Sequence, residues 1–305
     1  MAKLKLKNSV WNILGEGLKL YFLNIGTFSK YMLFPVFGQI IGIVLIFGLT
    51  YWFTLNLPTI MIKHAIFNDP TVIMVSLLIV TIPGFVVFLK AFWDFLVAYG
   101  ALNSMAQAVA TTGKLYDFGA HTEIVTKRTF TFVGLLLLIT FLSLVAINPL
   151  FWVIALIFFV YFILVFQVFT FEEDKSIIDC FKRSFDLVKG NFARTFFIMI
   201  VLGLITYYVL TYCVTALFEV IKLSDVLLVA LQGWANTLPL DSVNAMTLEF
   251  KIPAITALDV AKQIMSSSIC FIVAGLTLPM RSICWSLWYK NLVDVKTQKL
   301  SKKGK

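Results

Sequence analysis

The chain has 305 residues, 60% of them hydrophobic and 13% charged, with a formal net charge of +9. Soluble domains carry about 25% charged residues, so a water-soluble globule is excluded and lipid is the expected solvent. The basic residues lie between long apolar runs, which points to anionic headgroups and membrane topology; no recognition motif accompanies them, and nucleic acid is not an expected partner.

Taken in chain order, Lys3, Lys5 and Lys7 precede an amphipathic segment, residues 9–24. The first long apolar run starts near Tyr31, too late for an ordinary signal peptide. It predicts a span over residues 32–55. A second span is predicted over residues 71–89, with a kink at Pro83-Gly84 and helical character continuing to Ala110. A straight helix of that length runs about 60 Å, twice the hydrocarbon thickness, so it must bend, break or project. Residues 130–147 and 151–169 read as a hairpin turning at Asn148-Pro149. After an acidic and then amphipathic stretch, spans follow over residues 196–220 and 257–278. The short segment at residues 224–234 is too brief to span and is expected to lie on the outer leaflet, with Leu227, Leu228, Leu231 and Trp234 forming its apolar face.

This reading is all-α: a polytopic transmembrane helical bundle of about six spans plus interfacial amphipathic helices. With six spans, all but four of the 25 Lys and Arg residues fall on one side, the exceptions being Lys63, Lys222, Lys251 and Lys262. The positive-inside rule then puts both termini in the cytoplasm, and the basic residues next to anionic lipid headgroups.

Residues 9–24 and 176–191 align without gaps, Ser9 with Ser176 and Asn24 with Asn191. Ile178, Phe181, Phe185 and Val188 form one helical stripe, expected to face the acyl boundary or the bundle; Val10, Leu14, Leu18 and Tyr21 match it. Ser176 and Asp179 resemble a capping box, and Gly190 suits a C-terminal cap. Residues 1–305 thus read as a single membrane domain, with parallel repeats at 9–110 and 176–296 and a hairpin insertion at 130–170.

The stretch FEEDKSIIDCFKRSFDLVKGN carries a recognisable pattern in Cys180, Arg183, Ser184, Leu187, Gly190 and Asn191. It resembles a bacterial group of polytopic membrane proteins related to the membrane domain of glycerophosphodiester phosphodiesterases, including stand-alone members. A small residue other than the group's Ala stands at Cys180. The resemblance covers about a tenth of the chain. It implies a six-span architecture in a bacterial cytoplasmic membrane. The phosphodiesterase activity is not implied, because this chain has no room for that domain.

Catalytic motifs are sparse. His64 and His121 lie in connections on opposite expected sides, and Cys180, Cys213, Cys270 and Cys284 have no metal-binding spacing. No catalytic, cofactor or metal residue is assigned. Gly15-Glu16-Gly17 lacks the rest of a phosphate loop, and Asp117-Phe118-Gly119 stands without other kinase motifs. Glu172, Glu173 and Asp174 could form a cation or headgroup-amine site, but acidic residues ahead of a helix equally meet its dipole. Lys90 and Asp94 lie four apart on one helix face; an interfacial ion pair is preferred over a site inside the bilayer. Arg183, Ser184 and Gly190 complete the candidate residues. Three functions remain open: a non-enzymatic scaffold or regulator of envelope or lipid homeostasis, a small transporter or lipid translocator, and a membrane-embedded lipid-modifying enzyme.

Overall fold

A computed structural model describes residues 9–113, 118–248 and 253–303. Lys3, Lys5, Lys7, Lys114, Asp117, Lys251 and Lys305 lie outside the described residues. Among those described, every regular element is helical. The physical reason is that lipid offers no hydrogen-bond partner, so an apolar run must satisfy its backbone internally.

In chain order the helices are α1 (Val10–Leu23), α2 (Ile25–Lys63), α3 (Pro70–Thr112), α4 (Phe118–Lys127), α5 (Thr129–Val145), α6 (Trp152–Phe162) and α7 (Val165–Phe171). They continue with α8 (Ile177–Val188), α9 (Phe192–Gly203), α10 (Thr211–Val220), α11 (Leu223–Ala235), α12 (Leu240–Leu248), α13 (Ala257–Leu276) and α14 (Leu278–Lys303). A π-helical segment, Leu204–Leu210, links α9 to α10.

Five stretches are long and apolar enough to cross a membrane: Ile25–Lys63, Pro70–Thr112, Pro149–Phe171, Phe192–Val220 and Ala257–Leu276. A sixth is completed if His121–Lys127 and Thr129–Val145, bent by 84° from each other, form one span. The chain is therefore an integral membrane protein built as an all-α bundle. Its third expected span is the weak one, because α5 has only 17 residues. Pro83 does not break α3, which stays helical for 43 residues. At 1.5 Å per residue it outruns a hydrocarbon core of about 30 Å.

The chain packs as two compact units: Met1–Met32, Phe95–Leu204 and Thr277–Lys305 form one, and Leu33–Asp94 and Ile205–Leu276 the other. In the second unit, α2 and α3 approach closely at glycines. A Cβ on Gly42 would stand 2.6 Å from the Phe88 backbone nitrogen, and one on Gly84 would stand 2.6 Å from the Ile46 nitrogen. Gly38 faces Ala91 in the same seam. Without a hydrophobic drive between helices, such small-residue contact is how membrane helices associate. α11 packs along α13 and α10, so it has protein neighbours that a helix lying free on the outer leaflet would lack. Leu227, Leu228, Leu231 and Trp234 are its half-buried face, with Trp234 edge-on to Phe47 at 5.7 Å. The connection ahead of α13 is clasped by Asn244, which both donates to and accepts from the Ile255 backbone.

In the first unit, α1 lies along α14, and Gly17 leaves room there for the Cys284 sulfur. An aromatic core joins α3, α5 and α7. Tyr99 meets Phe166 edge-on at 4.9 Å, and Phe132 lies 5.9 Å from Phe166 and 5.8 Å from Phe169.

Helix α8 shows which of its residues meet protein. Its protein-facing side is Cys180, Ser184, Leu187 and Val188; of the expected stripe, only Val188 is buried. Ile178 is 64% exposed, while Phe181 and Phe185 sit partly covered against Phe162 and Tyr161. The reason is steric. Small Cys180 and Ser184 let α8 close onto α6, where the Ser184 hydroxyl donates to the Tyr161 carbonyl at 2.8 Å, and the bulky residues are left at the rim. The helix ends agree with the expected caps. Ser176 Oγ accepts from the Asp179 amide at 3.3 Å and donates to its carboxylate at 2.6 Å. Gly190 holds φ at +87°, a left-handed conformation that suits glycine.

Candidate functional site

The first unit gathers a set of half-buried polar side chains around the 172–176 connection. Glu172 follows the last turn of α7, and its amide is held by the Val168 carbonyl at 2.8 Å. One oxygen, Oε1, accepts from Arg183 Nε at 2.8 Å and from the Tyr289 hydroxyl at 2.6 Å. Tyr289 is buried on α14 and packs on Phe171, centroids 4.6 Å apart. Burial pushes its phenol above the ordinary tyrosine range, and the hydrogen bond to Glu172 and the carboxylate's charge add to the shift.

Arg128, at the break between α4 and α5, holds the same connection from its other side. Nη1 donates to the Phe169 carbonyl at 2.6 Å and Nη2 to the Lys175 carbonyl at 2.7 Å. The guanidinium lies over the Phe169 ring, 4.3 Å from its centroid. Phe169 belongs to the last turn of α7, whose carbonyls have no partner inside the helix. A cation that supplies donors there satisfies them and meets the negative end of the helix dipole. Lys290 does the same for α3, donating to the Ala110 carbonyl at 3.1 Å. Burial lowers the Lys290 ammonium's pKa, while Asp294 draws it back up.

Further polar contacts tie α3 to its neighbours. Ser104 Oγ lies 3.0 Å from His121 Nδ1, and Gln167 Nε2 donates to Asn103 Oδ1 at 3.3 Å. Trp288 on α14 donates to the Thr195 hydroxyl of α9 at 3.0 Å. Beside this set is a cavity of about 160 Å³ with a chiefly aromatic wall that includes Tyr99, Phe158, Phe162 and Phe166.

The candidates from sequence are divided by this geometry. Glu172 and Arg183 are brought together, while Glu173 and Asp174 stay exposed, Asp174 lying 3.5 Å from Lys175. No group of three His, Cys, Asp or Glu residues able to hold a metal occurs among the described residues. Ser184 is a packing contact against α6, and Gly190 ends α8. Lys90 and Asp94 pair at 2.5 Å in the second unit, their side chains 62% and 29% exposed, with Lys90 also over the Phe34 ring. The four cysteines are free thiols. Burial raises Cys180 to about 11 and Cys284 to about 12, which keeps both protonated and unreactive at neutral pH.

Arg128, Tyr289 and the glycine seam were not singled out from sequence. Gly38 and Gly42 stand in the small-xxx-small spacing that could have revealed the seam. Tyr289 carried no local signal. The chain matches no family model, and no curated protein or solved structure matches it significantly.

Chemically, Glu172 is an acceptor already occupied by two donors, and Arg128 is spent on backbone carbonyls. The arrangement fixes how α5, α7, α8 and α14 meet.

Proposed function

We propose that this protein is a non-enzymatic scaffold or regulator of envelope or lipid homeostasis in a bacterial cytoplasmic membrane. One observation carries the reading. The strongest polar groups of the first unit bind each other or backbone carbonyls, and the cavity beside them is aromatic. Transport paths and active sites hold polar groups ready for a ligand; these are committed to the fold. The resemblance through Arg183, Ser184, Leu187, Gly190 and Asn191 supports the bacterial placement. The charge asymmetry between connections supports cytoplasmic termini and contact with anionic headgroups.

The parallel repeat belongs to the same proposal. Ile13, Gly17 and Tyr21 are buried on α1, and the aligned Cys180, Ser184 and Val188 are buried on α8. The two helices thus share three inward positions, and each is followed, after an asparagine, by the next helix.

Reconstitution tests the function. In vesicles containing a fluorescent phospholipid, the purified protein should leave the transbilayer exchange rate at that of protein-free vesicles. Exchange that scales with protein content would replace the scaffold reading with a lipid translocator. Orientation is tested by single cysteines: one at Asn68 should react with an impermeant reagent in intact cells, and one at Ser301 only after permeabilisation. Reaction of both from outside overturns the topology.

A further inference from the structure

A second cavity in the first unit, of about 380 Å³, differs from the aromatic one in what lines it. Gly190, Asn191, Ala193 and Arg194 come from the corner between α8 and α9; Trp288, Asn291, Leu292 and Val295 come from α14. We propose that this corner is a binding site for a phosphate group, carried by a phospholipid head or free. The proposal goes beyond the scaffold reading, because it concerns residues outside the Glu172 network.

Three observations converge. The cavity opens at the N-terminus of α9, where the first backbone bond runs from the Thr195 amide to the Asn191 carbonyl. The amides ahead of it have no acceptor within the helix, and the helix dipole is positive there. Asn191 occupies the capping position without a side-chain bond to the turn, so the usual internal substitute for an anion is missing. Gly190 makes this exposure possible, since its φ of +87° turns the chain sharply between the helices and a Cβ there would meet nothing within 4 Å.

Asn291 supplies the independent evidence. It is only 3% exposed, lines the cavity, and makes no side-chain hydrogen bond among the described residues. Its side chain is enclosed by protein except where it lines the cavity, so the amide is left free for a ligand oxygen entering there. Trp288, one turn before Asn291 on α14 and fixed through its bond to Thr195, lines the same cavity. Arg194 adds a cation that is exposed and has no carboxylate partner among the described residues. An amide donor, a helix N-terminus and a guanidinium around one polar cavity suit a phosphate oxygen cluster.

The test uses the full chain, purified in detergent, with phosphatidylglycerol, diacylglycerol and inorganic phosphate as probes and native mass spectrometry as readout. Phosphatidylglycerol should be retained and diacylglycerol, which lacks the phosphate, should not. Arg194→Gln should weaken retention about ten- to hundredfold, the worth of a hydrogen bond to a charged group. Asn291→Leu should weaken it too, while leaving thermal stability about unchanged, because the Asn291 side chain makes no hydrogen bond among the described residues that could be lost. A purely structural Asn291 would instead lose stability. If inorganic phosphate binds and phosphatidylglycerol does not displace it, the ligand is a free anion; if the lipid displaces it, the source is the headgroup. Equal retention of phosphatidylglycerol and diacylglycerol with no phosphate bound, or unchanged binding in both folded variants, would overturn the site.

Discussion

Arg183 reaches back across eleven residues to Glu172, its Nε donating to Oε1 at 2.8 Å, and so closes the connection between α7 and α8. The bond joins the residue that ends one helix to the middle of the next. Tyr289 completes it from α14, on the same oxygen. Glu172→Gln should therefore keep the shape but lose the charge. A charge-assisted bond is worth about 1.5–3 kcal/mol, and thermal unfolding of the purified protein should fall accordingly. An unchanged melting temperature would remove the network from the fold's supports.

The phenol of Tyr289 adds a pH dependence whose sign follows from its raised pKa. The folded state keeps the proton at pH values where an unfolded tyrosine, with a pKa of about 10, has lost it. The folded form then binds more protons, so stability is complete below about pH 10 and falls as pH rises beyond it. Tyr289→Phe should flatten this alkaline loss relative to the natural chain, measured as melting temperature between neutral pH and about pH 11. An identical alkaline slope in both proteins would count against the assignment.

How much of this was legible in the sequence depends on the range of the signal. Helix positions were legible because hydropathy is a local property, and so were the caps at Ser176 and Gly190, which act within a few residues. The choice of Glu172 over Glu173 and Asp174 was not. Three adjacent acids look alike until the fold brings Tyr289, 117 residues away, onto one of them. Arg128 counted only as a topology charge, since its acceptors are backbone carbonyls that leave no trace in residue identity. The protein-facing side of α8 was not legible for a related reason. Apolarity marks what avoids water, and in a membrane protein lipid can satisfy that as well as protein can, so Ile178 faces outward while Ser184 packs inside.

Arg128→Lys tests whether the fork matters or only the charge. Lysine keeps the cation but cannot hold the Phe169 and Lys175 carbonyls in the bidentate geometry of a guanidinium. One carbonyl should be left unpaired, costing about 1–3 kcal/mol. The expected result is reduced thermal stability for the lysine variant and a larger loss for Arg128→Ala. Full stability in Arg128→Lys would mean that charge alone suffices.

Two glycines of α2 offer a contrast within one helix. Gly48 has nothing within 4 Å of an added Cβ, so Gly48→Ala should be neutral or stabilising by up to about 1 kcal/mol through helix propensity. Gly42 faces the backbone of α3, which cannot swing aside like a side-chain tip, so Gly42→Ala should cost about 1–3 kcal/mol. Reversal of the order in denaturant or thermal unfolding would show that the α2–α3 seam is not packed as described.

Lys90 and Asp94 give the last test, and it bears on membrane depth. Their bond is short, but the Lys90 side chain is 62% exposed on the protein surface. At an aqueous interface, Lys90→Ala should then cost only about 0–1 kcal/mol, because the Asp94 carboxylate is left with water to solvate it. Inside the bilayer the same change would strand a carboxylate in hydrocarbon and cost several kcal/mol. The two cases separate further in the double variant. At the interface, Lys90→Ala with Asp94→Ala should look like the sum of two small effects. Within the bilayer it should restore what the single substitution lost, since no charge would remain to be stranded. The expected outcome is the first, read as folded yield and melting temperature of the two single variants and the double. Rescue by the double substitution would move the pair into the hydrocarbon, and with it the end of the second span.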